Sequence, residues 1–251
     1  MFDHRVMRYA DAMLSRLSHG ISALVCMVAL SASCAASEVR VEDLALDVQG
    51  RALTVTRYAA ASATARPAVL MLHGSRGFDV GRQAYARSAI TLAERGIDAY
   101  LVTYYEPHEN TAARRFDGWA ETIAHVTTAI LQRPEASGRV GLLGFSLGGA
   151  VAFAGAGDPR IGAVVVFYGF IPGGWRAKAE RLAPLLVLHG DNDSVVPLKA
   201  GRELVDYALA RGGRAELVVY PGQPHALSAW SQAAATDAIE RMTTFFRAEL
   251  F

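Results

Sequence analysis

Three residues far apart in the chain have the types that nucleophilic acyl chemistry needs: Ser146, Asp193 and His225. Ser146 is the centre of Gly144-Phe145-Ser146-Leu147-Gly148-Gly149, between the apolar run 140–143 and the small-residue run 150–154. That reads as a strand, a glycine-hinged turn and a helix, with one serine at the apex. A bulky side chain two positions either side of the serine would clash where strand and helix cross, so glycine stands there. The turn also aims the Leu147 N–H, at the start of the helix, toward a developing oxyanion. By itself the G-x-S-x-G pentapeptide is equally compatible with an ordinary turn that happens to hold a serine. Its partners decide between the two.

A serine hydroxyl at neutral pH is a weak nucleophile and needs a base, which in turn needs an orienting carboxylate. The loop His189-Gly190-Asp191-Asn192-Asp193-Ser194-Val195-Val196-Pro197 follows the apolar run 185–188. Asp193 is the candidate acid, placed to hold a histidine in one tautomer. Asp191 is its rival, and could instead bond local backbone N–H groups as aspartates do in turns. His225, in Pro221-Gly222-Gln223-Pro224-His225, follows the last apolar run and is the candidate base. His73 and His189 also end strands, but each precedes glycine in a turn and reads as loop-shaping or as a hydrogen-bonded core residue. No histidine pair has the H-E-x-x-H spacing of a zinc site, and no cofactor is implied.

A second glycine-rich loop, His73-Gly74-Ser75-Arg76-Gly77, leaves the apolar run 67–72. Loops at the C-terminal ends of such strands are where open α/β sheets bind ligands. The Ser75 N–H is the candidate second oxyanion donor, with Arg76 as the neighbouring alternative. Tyr104, Tyr105, Tyr168, Phe170 and Trp175, in the exit loops of two other strands, are candidate pocket walls, or plain packing at the loop roots. The loop that starts at 104 continues through Glu106-Pro107-His108 and could wall the same site.

The elements that must position these residues are legible as hydrophobic patterns. Residues 39–48 and 53–58 alternate apolar and polar around Gln49-Gly50, which predicts an antiparallel hairpin. Continuous apolar runs at 67–72 and 161–167 predict strands buried on both faces, and the runs at 97–103, 140–143, 185–188 and 216–220 predict further strands. Helical spacing predicts helices over 82–95, with Gly96 capping, then 116–132, 203–210 and 231–246. Strands alternating with helices predict an α/β fold: a mostly parallel, doubly wound sheet with helices on both faces, an N-terminal antiparallel hairpin and no large cap. The order serine, acid, histidine, each in a loop after a strand, is that of the α/β-hydrolase fold.

G-F-S-L-G-G, H-G-D-N-D-S-V-V-P and G-Q-P-H at this spacing resemble the dienelactone hydrolase family of α/β-hydrolases, over roughly residues 38–251. The resemblance implies a compact domain, a Ser146–Asp193–His225 triad and hydrolysis of an ester or lactone through an acyl-enzyme. Two departures bear on the substrate. The name-giving enzymes carry cysteine where this chain has Ser146, and a glutamate that works with that thiol where this chain has Gly74. Together they favour an ordinary serine esterase over a hydrolase of dienelactone itself. A peptidase like the catalytic domain of prolyl oligopeptidases is the rival enzyme, and a non-catalytic binding protein that kept the fold is the rival of another class.

With 52% hydrophobic and 20% charged residues in 251, the composition describes one globular domain with ample core. A net charge of +1 without a basic run invites neither nucleic acid nor an anionic membrane surface. The first 36 residues differ in kind. Arg5, Arg8 and Arg16 precede the apolar block 21–30, and small residues follow at 31–37, the order of a secretory signal peptide cleaved near Ala35 or Ala36. The block is too short for a comfortable membrane span. Lipidation at Cys34 is the alternative, against which Ser31 stands where a lipobox wants an aliphatic residue. Both cysteines, Cys26 and Cys34, lie in this leader, so residues 37–251 form no disulfide and hold no thiol nucleophile. Removing the leader takes away three basic and two acidic residues and leaves 22 of each sign. The expectation is an exported, periplasmic or secreted domain that takes a small-molecule ester, with no integral membrane span after cleavage, as a monomer or weak homodimer.

Overall fold

The computed structural model describes residues 39–48, 50–61, 64–105, 116–173, 175 and 179–251. The leader with its cleavage site and Cys34, and with them Gln49, Glu106, Pro107 and His108, lie outside the described residues. The strands are β1 (Arg40–Val48), β2 (Arg51–Ala59), β3 (Arg66–Leu72), β4 (Asp98–Val102), β5 (Ala136–Phe145), β6 (Ile161–Phe167), β7 (Leu185–Gly190) and β8 (Ala215–Tyr220). The helices are α1 (Arg82–Glu94), α2 (Phe116–Leu131), α3 (Leu147–Ala154), α4 (Leu198–Ala210) and α5 (Gln232–Leu250).

All eight strands join one sheet in the order β1-β2-β4-β3-β5-β6-β7-β8. β1 pairs antiparallel with β2, Val48 opposite Arg51, and β2 pairs antiparallel with β4. Every pairing from β4 to β8 is parallel. The central strands read as unbroken apolar runs because both their faces are covered. On β3, Leu70 and Leu72 face α2, α3 and α4 through Ile123, Phe153 and Leu204. Val69 and Met71, on the alternate positions, face α1 and α5 through Leu92, Met242 and Phe246.

Boundaries differ from the sequence pattern where polar residues start or end an element. α4 begins at Leu198, directly after Pro197, and not at 203: its first turn, Leu198-Lys199-Ala200-Gly201, carries a helix-weakening glycine and little of the apolar stripe. β5 begins at Ala136, four residues before its apolar run, since Ala136 pairs with Arg66 ahead of a register shift. At the end of α1, Gly96 (φ 85) sits one position past the cap residue. Its N–H donates to Ala93 and that of Ile97 to Leu92, which satisfies two of the last carbonyls.

A buried ion cluster ties the antiparallel edge to the parallel sheet, and no local pattern announces it. The Asp98 carboxylate, at the start of β4, accepts from Arg57 Nε and Nη2 at 3.0 and 2.5 Å. It also accepts from Arg66 Nε at 2.6 Å and the Ala60 N–H at 2.9 Å. Arg57 reaches Glu42 and Glu135 as well, at 2.8 and 2.9 Å. The Arg57 and Asp98 side chains are each only 3% exposed, so the charges compensate one another out of water.

Candidate active site

The site lies at the C-terminal ends of the parallel strands. Ser146 links β5 to α3 in a backbone conformation that non-glycine residues rarely adopt, φ 55 and ψ −116. Close packing on both sides makes the turn possible. A Cβ on Gly144 would lie 2.1 Å from the Gly148 carbonyl oxygen, and one on Gly148 would lie 2.2 Å from that of Leu72. Only glycine lets α3 cross the sheet that closely.

Opposite the serine, the loops after β7 and β8 bring up two partners. His225 Nε2 is 2.9 Å from Ser146 Oγ, and His225 Nδ1 is 2.7 Å from Asp193 Oδ2. A carboxylate only accepts, so Nδ1 carries the ring proton and Nε2 is left to accept from the serine. Asp193 Oδ1 is occupied by the N–H groups of Val195 and Val196, at 2.9 and 2.8 Å, which fixes the carboxylate. Asp191 does not meet His225. It is exposed and accepts from the Gly222 N–H at 2.6 Å, tying the loop after β7 to the loop after β8.

Two other features hold the histidine loop. Trp230 Nε1 donates to the Pro224 carbonyl at 2.8 Å. Tyr168, directly after β6, packs its ring against His225 in a T-shaped pair with centroids 4.7 Å apart, and its hydroxyl accepts from the Leu227 N–H at 2.9 Å. Burial pushes the Tyr168 phenol far above its usual range, so it stays neutral. Tyr168 (φ 41) and Ala226 (φ 81) join Ser146 as the non-glycine residues of positive φ among those described, and all three line one cleft. Strain of this kind persists only where the surroundings over-determine it.

That cleft encloses about 270 Å³. Ser75, Arg76, Val80, Val195 and Tyr168 surround the serine and histidine there. Ser75 and its neighbour Arg76 line the cleft beside the serine, and Leu147 opens α3 directly after it. Val80, Val195 and Ala226 carried no chemical signal in the sequence, because a wall is recognised by where it stands and not by what it is. A larger cavity of about 440 Å³ lies between α2 and the C-terminal end of α3, and among the described residues its lining includes neither serine nor histidine.

The aromatic residues divide differently from the sequence expectation. Tyr168 lines the cleft; among the described residues, Tyr104, Tyr105, Phe170 and Trp175 do not. Tyr104 and Tyr105 are buried beneath the loop after β3, with their hydroxyls spent on the carbonyls of His73 and Ser75. Phe170 packs edge-on against Phe116 at 6.2 Å. Trp175 packs against Phe153 and Tyr207 and borders the larger cavity. The exit loops are aromatic for packing at four of these five positions.

His73 and His189 are both buried. His189 Nε2 donates to the Val196 carbonyl at 2.9 Å and stands 3.5 Å from Asp193 Oδ2. Burial lowers the His189 pKa, against the partial opposition of the Val196 carbonyl and Asp193. A histidine titrating lower when folded than when unfolded contributes its full stability above about pH 6.5, and that contribution is lost as pH falls through the folded value. Urea midpoints measured from pH 7.5 down to 5 are expected to fall, and to fall less steeply in His189→Gln, which keeps a donor near Nε2. An unchanged slope in that variant would remove His189 from the account.

The sheet order, the antiparallel leading strands and a serine at a strand-to-helix turn define this protein as an α/β-hydrolase fold. Residues 55–250 match the profile of the dienelactone hydrolase family, and the chain belongs to it. It is 32% identical over 111 residues to the "Putative carboxymethylenebutenolidase" of Saccharolobus solfataricus, across 42% of each chain. It thus spans less than half the length of that curated relative. Among solved structures, it resembles the dienelactone hydrolase of Anabaena variabilis, with a TM-score of 0.67 at 22% identity over 85% of this chain and 99% of that one. It also resembles the dienelactone hydrolase-like promiscuous phosphotriesterase P91 from metagenomic libraries, with a TM-score of 0.73 at 16% identity over 85% and 99%. Among the described residues, no three His, Cys, Asp or Glu side chains are grouped to hold a metal ion. No helix among them is long and apolar enough to cross a membrane.

Proposed function

We propose that this protein hydrolyses small carboxylic esters or lactones through a serine acyl-enzyme. The observation that carries the reading is the unbroken relay Ser146 Oγ–His225 Nε2, His225 Nδ1–Asp193 Oδ2, at 2.9 and 2.7 Å. Ser146 Oγ bonds to the substrate carbonyl carbon as its proton passes to His225 Nε2. The carbonyl oxygen becomes an oxyanion, held by the Leu147 and Ser75 N–H groups. Collapse breaks the bond to the leaving alkoxide, which takes the proton from Nε2. Water then attacks the acyl-enzyme by the same route and releases the carboxylic acid. Asp193 keeps Nδ1 protonated and stabilises the imidazolium without itself taking a proton. The family's substrates are the guide to the ester or lactone class, and a cleft of about 270 Å³ suits a small one.

Residues 37–251 serve as the hydrolase domain, and residues 1–36, by their basic–apolar–small order, as a signal peptide for export. A fluorophosphonate probe tests the central reading. The wild type is expected to take one label per chain, on Ser146, and to turn over p-nitrophenyl esters faster than prolyl amides. A folded wild type that takes no label, or that cleaves amides and no ester, overturns it.

A further inference from the structure

The loop after β3 carries a proposed oxyanion donor, and its three successive peptide planes are each tethered by side chains. The 73–74 peptide is held at both ends. Tyr104 Oη donates to the His73 carbonyl at 2.9 Å, and the Gly74 N–H donates to Tyr85 Oη at 3.2 Å. The 74–75 peptide is held by its oxygen, which accepts from His73 Nδ1 at 2.8 Å and from the Gly77 N–H at 3.1 Å. A carbonyl only accepts, so His73 is the Nδ1–H tautomer. The 75–76 peptide is held by Tyr105 Oη, which donates to the Ser75 carbonyl.

In a trans peptide the C=O and N–H point in opposite directions. Anchoring the oxygens of Gly74 and Ser75 therefore aims the N–H groups of Ser75 and Arg76 the other way. Neither has a protein acceptor among the described residues. The Gly74 N–H is already taken by Tyr85. The loop also stands against the nucleophile, since a Cβ on Gly74 would lie 3.5 Å from Ser146 Cβ. The anchors themselves are buried and packed. His73, Tyr104 and Tyr105 are at most 3% exposed, with His73 stacked on Tyr104 at 4.6 Å and 22°. Buried hydroxyls need partners, and these two find them on this one loop.

We propose that His73, Tyr104 and Tyr105 are positioning residues that fix the peptide planes of this loop, His73 directly through the Gly74 carbonyl and the two tyrosines through the flanking planes, so that the Ser75 N–H faces the oxyanion while the Gly74 N–H takes no part. The proposal rests on the hydrolase reading above. Removing a whole oxyanion donor costs about 10²–10³ in kcat, and misaiming one costs part of that. Tyr105→Phe and His73→Leu are expected to lower kcat per fluorophosphonate-titrated site about tenfold or more with KM unchanged, because an oxyanion contact exists only in the transition state. An aryl trifluoromethyl ketone, whose serine adduct places an oxyanion in the same hole, should bind more weakly by the same factor. His73→Asn, with Nδ2 in place of Nδ1, should recover most of the loss.

Circular dichroism and urea midpoints establish that each variant is folded; should His73→Leu not fold, Tyr104→Phe and Tyr105→Phe carry the test. Folded, titratable Phe variants that keep wild-type kcat and ketone affinity overturn this proposal and leave the hydrolase reading intact. A loss of stability alone, with kcat per site unchanged, overturns it equally. A wild type that takes no fluorophosphonate label overturns the hydrolase reading itself, a result distinct from both.

Discussion

Ser146→Ala is expected to lower kcat for a p-nitrophenyl ester by about 10⁴- to 10⁶-fold, with the unfolding free energy from urea titration within about 0.5 kcal/mol of wild type. The size follows from the order of events. Without Oγ no acyl-enzyme forms, and His225 has nothing to deprotonate but water. What remains is the contribution of the oxyanion donors and of substrate binding, worth about 10³–10⁴ over solution in comparable enzymes. Stability should hold because Ser146 is half-buried and its backbone strain is imposed by Gly144 and Gly148, which the substitution leaves in place.

Two further variants separate this relay from an incidental cluster. Asp193→Asn keeps the size of the side chain but offers an N–H or an oxygen to His225 Nδ1, and only the carboxylate enforces the tautomer. A loss of about 10⁴ is expected. Ser146→Ala combined with His225→Ala should be no slower than Ser146→Ala alone, since residues acting as one unit are not additive. Steady-state kinetics on purified variants decides both. Additive losses would mean that the three side chains do not act together, whatever their distances.

The second large effect concerns stability. Asp98→Ala is expected to destabilise the fold by about 3–5 kcal/mol, because it removes the buried carboxylate that two arginines share away from water. Arg57 would keep Glu42 and Glu135, but Arg66 Nε and the Ala60 N–H lose their carboxylate acceptor. For a domain of this size each kcal/mol moves Tm by about 2–4 °C. Asp98 sits at the start of β4, at the opposite end of the parallel strands from the cleft. Labelling of Ser146 at low temperature should therefore be unaffected. A Tm within 2 °C of wild type would show that solvent replaces the carboxylate at little cost.

The elements and the relay were legible in the chain because each has a local cause. A continuous apolar run rich in β-branched residues reads as a strand covered on both faces, as 161–167 proves to be in β6. Gly144 and Gly148 mark the turn by the room that glycine alone leaves. Asp193 and His225 could be named because both end up in loops after strands, where a parallel sheet gathers its C-terminal ends. What the chain left open was every choice that depends on which loop faces which. Asp191 and Asp193 are chemically identical and two positions apart. Only the packed loops decide that Asp193 meets His225 while Asp191 holds Gly222. Aromatic residues at strand exits looked alike as pocket walls. Tertiary packing put Tyr168 in the cleft and Tyr104 and Tyr105 beneath it, because a buried hydroxyl goes to the nearest unpaired carbonyl.

The Arg57–Asp98–Arg66 cluster left no periodic trace, since its members come from three strands that meet only across the sheet. By itself the sequence determined the elements, the glycine-hinged serine and the types of its partners, because sterics and burial periodicity act over a few residues. Only the tertiary structure decided the pairings, the walls and the tyrosine anchors of the loop after β3, because those are distances between residues 30 to 80 positions apart, which no local pattern encodes.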